Sequence, residues 1–203
     1  MGSEKAWVWF RLPESSEKKM FLEGKGDETF HLVNFESTEQ IRIDGSVQDF
    51  DPSLEFSFEL SAIVEANTTK DVHIRSIETA TKHILSGVLN KVVLSRIQHF
   101  LSENLAPLDI FNALCEHYPK AFCYAHYHPL SGLWIGATPE LLLKKDGANY
   151  HTVALAGTKG KDSVSTWTDK EFKEQSIVND YILAALDSIG IDNVKIGEVR
   201  DSV

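Results

Sequence analysis

Lys91 opens a β-branched run, Lys91-Val-Val-Leu-Ser-Arg96, and Glu140 follows a Thr138-Pro139 turn. A lysine and a glutamate can serve as base and acid, but only if both pKa values are moved toward neutrality. A free lysine titrates at about 10.4, so poising one near 7 takes roughly 4–5 kcal/mol of differential interaction. Burial and neighbouring positive charge supply such shifts, and a lysine at the head of a buried strand would feel the burial. On position alone, both residues read equally well as solvated charges. Glu171 and Glu174 stand three apart and project from one face of a helix. Glu171 also completes a capping box with Thr168, and Glu174 taken alone is surface charge. In Ala154-Leu-Ala-Gly-Thr158, Gly157 serves a turn or lets main-chain N–H groups approach a carboxylate closely. His126-x-His128 places two imidazoles on one strand face without a third ligand nearby. Gly157-Thr-Lys-Gly-Lys161 lacks the spacing and the following Ser or Thr of a Walker loop.

These residues must be carried by a mixture of helices and strands. Ala6 to Leu12 and Phe30 to Phe35 predict strands, with a polar loop between them through Glu14 to Lys19, Gly24 and Gly26. Thr69 caps a helix whose apolar positions Val72, Ile77, Ala80, Ile84 and Val88 share one face. Residues 91–96 then predict a buried strand. Pro107 starts a second helix, ending near Tyr118-Pro119. Strands are expected over Ala121 to His126, Leu133 to Ala137, Leu141 to Lys144 and, after an Asp146-Gly147 turn, Tyr150 to Ala156. Thr168 and Glu171 begin a helix reaching about Ser188, and Val194 to Val199 begins a further strand. The pattern is α+β, a largely antiparallel sheet with helices packed on its face.

Of the 203 residues, 42% are hydrophobic and 25% charged, an ordinary globular composition. No apolar run approaches the roughly 18–20 residues that cross a bilayer, and Met1 to Arg11 lack the features of a secretory signal. Cys115 and Cys123 are too few for a disulfide framework, so reduced thiols in the cytoplasm are expected. A formal charge of −10 argues against nucleic acid and anionic membrane as partners. A small acidic ligand would need local cations, helix N-termini or a metal.

Four segments in order, Lys91 to Arg96, Gly136-Ala-Thr-Pro-Glu-Leu-Leu142, Ala154 to Thr158 and Asp169-Lys-Glu-Phe-Lys-Glu-Gln-Ser-Ile-Val178, carry a family resemblance. Over roughly residues 70–200 the chain resembles the chorismate-binding enzymes: isochorismate, salicylate, anthranilate and aminodeoxychorismate synthases. The resemblance implies that residues 1–66 are variable strands and loops of the same fold. Residues 67–203 would be the first part of the catalytic domain, incomplete at its carboxyl end, the first half of the chorismate-binding α/β sandwich. It implies that Lys91 is the base that activates water and Glu140 the acid that protonates the leaving hydroxyl. Ala156, Gly157 and Thr158 would contact substrate, and Glu174, with Glu171 beside it, would face Mg²⁺. Magnesium takes oxygen ligands and keeps waters, so one or two carboxylates plus a substrate carboxylate suffice. Gln175 departs from the pattern, since many relatives have His there.

Two positions separate the reactions within the family. Aminodeoxychorismate synthases place a nucleophilic lysine where this chain has Ala156, and anthranilate synthases usually have glutamine at the position of Lys91. Lysine there favours water as nucleophile. The expectation is a Mg²⁺-dependent isochorismate synthase feeding menaquinone or siderophore synthesis. Salicylate synthase is the nearest alternative, and a non-catalytic half-domain that binds chorismate or a partner protein is the alternative of another class. The 203-residue chain alone is expected to be inactive and to self-associate through an uncovered sheet.

Overall fold

The computed structural model describes residues 5–34, 36–58, 67–100, 105–157, 159–160, 166–191 and 193–198. They form two compact units, one of Met1–Asn67 with Ile97–Glu140 and one of Thr68–Arg96 with Leu141–Val203.

The first unit is built on a five-stranded antiparallel sheet of β1 (Trp7–Arg11), β2 (Lys18–Val33), β3 (Gln40–Asp49), β4 (Phe122–His128) and β5 (Gly132–Thr138), in the order β3-β2-β1-β4-β5. With its helix α1 (Pro107–His117) and the helices of the second unit, the architecture is α+β, as the sequence predicts. Alternation along the strands separates two faces. One carries Trp7, Trp9, Met20, Cys123, Ala125 and Tyr127, which pack with Phe111 and Cys115 of α1. Trp7 and Trp9 stack with ring centroids 4.4 Å apart, and Phe111 lies 6.0 Å from Trp9. On the other face Ala6, Val8, Phe21 and Ile43 form a second cluster.

Residues 18–29 extend the sheet where a polar loop was expected, and β3 was not foreseen. Their side chains beyond Leu22 are exposed, so hydrophobic alternation gives no strand signal there, although the ladder to β3 satisfies the backbone. Gly45 pairs with both Glu23 and Glu28 across an irregularity. A Cβ on Gly26 would lie 1.8 Å from the Gly45 carbonyl oxygen, so the close approach needs a glycine.

Arg11 ties the ends of this unit together. The residue is 4% exposed, and its guanidinium donates to the carbonyls of Pro119 (2.8 Å), Tyr118 (2.6 Å) and Ala121 (3.0 Å) and to Cys123 Sγ (3.2 Å). Burial of a charge is tolerated here because carbonyl dipoles replace its hydration.

The second unit contains α2 (Lys70–Leu85), a hairpin of β6 (Lys144–Asp146) and β7 (Asn149–His151), and α3 (Asp169–Ser188). Thr69 caps α2 by accepting from the Val72 amide at 3.3 Å. The helix stops at Leu85 because Gly87, at φ 74°, turns the chain and the Val88 amide reaches back to the His83 carbonyl at 3.0 Å. Gly147, at φ 59°, makes the expected hairpin turn.

Four strand expectations are corrected in this unit. Residues 91–96 form no strand, and Val93 is 83% exposed. A β-branched run becomes a strand only against a hydrogen-bonding partner, and among the described residues none pairs with it. The expected strands at 141–144 and 150–156 shrink to the short β6–β7 ladder, and residues 194–198 are not a strand. Phe35 and Val199 lie outside the described residues.

Candidate functional site

Glu140 lies at the end of the first unit, just beyond β5, and Lys91, Ala156, Gly157, Glu171 and Glu174 belong to the second. Thr158 lies outside the described residues. Glu140 is exposed, and its Oε2 accepts from the Thr138 hydroxyl at 3.1 Å. That bond fixes the carboxylate beside the strand end, as Pro139 limits the backbone between them. Lys91 is half-buried and heads an irregular segment instead of the expected buried strand.

The structure does bring Gly157 and Glu171 together. Gly157 has φ 78°, and a Cβ there would meet the Trp167 ring at 3.3 Å and Glu171 Cβ and Cγ at 3.4 Å. Lys159 sits over the same indole, its Nζ 4.4 Å from the ring centroid. The loop is thus seated on the first turn of α3 by a residue the motif reading passed over. Trp167 immediately precedes the N-cap, and that position was the available signal.

Glu171 is occupied as a capping residue. Its Oε2 accepts from the Thr168 amide at 2.9 Å and from the Thr168 hydroxyl. These bonds, the hydroxyl's first, hold its carboxyl below the usual range. Glu174 is half-buried, with a side chain 31% exposed, and pairs with Lys170 at 3.7 Å. Among the described residues, no three His, Cys, Asp or Glu side chains converge to hold a metal. A magnesium ion nevertheless needs only one protein carboxylate when waters and ligand oxygens complete its shell. Glu174 fits that requirement, whereas the capping bonds of Glu171 compete with it.

On the sheet face opposite α1, a row of aromatic side chains runs along β4 and β5, from Phe122 beside Thr138 at the Glu140 end to His126 and Trp134 toward the other end. Phe122 and Tyr124 stack at 5.9 Å, Tyr124 and His126 at 6.0 Å, and His126 and Trp134 at 6.5 Å. The Tyr124 ring lies on Gly136 so closely that a Cβ there would be 2.9 Å from its hydroxyl oxygen. This contact gives Gly136 of the second motif its physical reason. His126 is 6% exposed, and burial first, then the neighbouring His128, pushes its pKa down to about 4. His128 Nδ1 takes the Leu130 amide at 3.1 Å, so the two imidazoles are not poised as a metal pair. A cavity of about 410 Å³ on this face is lined by Phe10, Phe21, Phe30, Val47 and Phe122 with Glu28 and Thr29.

The family model described as chorismate binding enzyme matches residues 31–197. The chain belongs to this family. All seven candidate site residues fall within the matched span, which begins inside β2. The chain is also 36% identical over 97 residues to anthranilate synthase component 1 of Streptomyces coelicolor, covering 46% of this chain and 18% of that protein. It therefore spans about a fifth of the length of that relative. No solved structure gives a significant match. Among the described residues, no helix is long and apolar enough to cross a membrane.

Proposed function

We propose that this chorismate-binding protein is an isochorismate synthase, moving the hydroxyl of chorismate by water attack at C2 with loss of the C4 hydroxyl. The observation that carries this reading is Lys91, which, by the family resemblance, stands where ammonia-adding relatives usually have glutamine. Water needs a base to become a nucleophile, and a lysine supplies one when its ammonium is destabilised. Glu140, oriented by Thr138, delivers a proton to the departing hydroxyl. Ala156 offers no amine for covalent attack on the ring. The Gly157 loop supplies main-chain donors for a substrate carboxylate, seated on α3 by Trp167. Glu174 would hold Mg²⁺, which supplies charge neutralisation for the substrate carboxylate. The activity would take place in the cytoplasm and supply menaquinone or siderophore synthesis.

The likeness to anthranilate synthase component 1 favours a second reading, in which ammonia is the nucleophile and pyruvate is eliminated. The two readings separate on product identity. Chorismate supplied to the natural full-length protein with Mg²⁺, with and without ammonium, should give isochorismate in both cases by chromatography and mass spectrometry. Salicylate would move the assignment to a synthase that also eliminates pyruvate. Anthranilate appearing only with ammonium would overturn the water reading.

A further inference from the structure

Tyr124 stands out among the aromatic residues near Glu140 because its position is enforced and its hydroxyl is idle. Phe122 and His126 stack on either side of it at 5.9 Å and 6.0 Å, with interplanar angles of 24° and 14°. The buried His126 ring blocks one direction of swing, and the bare Gly136 backbone accepts the phenol on the neighbouring strand. Tyr124 and Gly136 are direct partners across β4 and β5, as are Phe122 and Thr138. Tyr124 and Thr138 are therefore diagonal neighbours on one sheet face, within reach of long side chains. Thr138 in turn holds Glu140. Among the described residues no hydrogen bond uses the Tyr124 hydroxyl, and within this unit α1 packs on the opposite face. A rigid phenol with an unused donor costs little further entropy when it binds a ligand oxygen.

We propose that Tyr124 is a ligand-contacting residue, its hydroxyl donating to an oxygen substituent of the bound acid on the Glu140 side. The inference rests on the chorismate reading of the site and adds a residue that the motifs do not contain. Gly136 is kept bare to leave room for this phenol.

The test is Tyr124→Phe in the natural full-length protein, beside Glu140→Gln, with chorismate as substrate and thermal unfolding of each variant. Removing only the hydroxyl should raise KM for chorismate about three- to tenfold, the span of one neutral hydrogen bond, with Tm little changed. An unchanged KM and kcat in Tyr124→Phe, alongside a crippled Glu140→Gln, would overturn the role of Tyr124 and leave the functional reading standing. If the wild-type protein neither binds nor turns over chorismate, the functional reading fails and the inference falls with it. Should Tyr124→Phe also lower Tm, Cys123→Ala on the opposite face provides a destabilised control. An equal rise in KM in that control would assign the effect to packing and overturn the proposal.

Discussion

The two compact units differ in how they hold their residues. Among the described residues every fully buried side chain belongs to the first unit, where Phe111, Val8 and Cys123 are completely enclosed. The helices α2 and α3 of the second unit contain no buried residue, and Ile77 and Ile84 remain about two-fifths exposed (45% and 41%). Yet the second unit carries Lys91, the Ala156-Gly157 turn, Glu171 and Glu174, while the first contributes Glu140. The candidate chemistry is thus concentrated where local devices, a cap, a capping box and left-handed glycines, fix the backbone. The larger core supports the sheet that ends at Glu140.

The comparison is broken or sharpened first by paired truncations. Phe111→Ala should cost about 3–5 kcal/mol, because a fully buried ring between Trp9 and Phe50 leaves a cavity. Ile77→Ala in α2 should cost less than about 1.5 kcal/mol, since much of its side chain is already in water. Urea denaturation monitored by circular dichroism measures both. Equal losses would show that the second unit has a core of comparable weight.

A somewhat smaller effect is expected from pH, and it again belongs to the first unit. The folded pKa of His126 is about 4, against 6.5 for the free side chain, so the unfolded chain takes up the proton first as pH falls. The stability contributed by the neutral imidazole is complete above pH 6.5 and is lost as pH drops through that window toward 4. The loss amounts to at most roughly 3 kcal/mol. His126→Phe should flatten this part of the stability profile in denaturation series at pH 7 and pH 4.5. A variant with the same slope as wild type would place the titration elsewhere.

The same contrast explains what was legible in the sequence. Helix α3 runs from Asp169 to Ser188 as Thr168 and Glu171 predict, and Thr69 and Pro107 mark the starts of their helices correctly. Caps and proline act within a few residues, so a single chain displays them. The long β2–β3 ladder depends on pairings such as Phe30 with Ile43, and polar side chains on an exposed ladder carry no period to read. Residues 91–96 failed in the opposite sense, since β-branched composition promised a strand that has no partner among the described residues. The four motif segments were legible as a set and pointed to the family whose model matches residues 31–197. The contacts that position them, Trp167 against Gly157 and Tyr124 over Gly136, arise from chain segments brought together only by folding.

The most direct test of the proposed chemistry is Lys91→Ala in the natural full-length protein, with chorismate turnover and chorismate affinity measured separately. If Lys91 activates water, the base acts in the transition state. kcat should then fall by about 10²-fold or more while the dissociation constant for chorismate stays within about twofold of wild type. An unchanged kcat would remove Lys91 from the mechanism and, with it, the argument for water as the nucleophile.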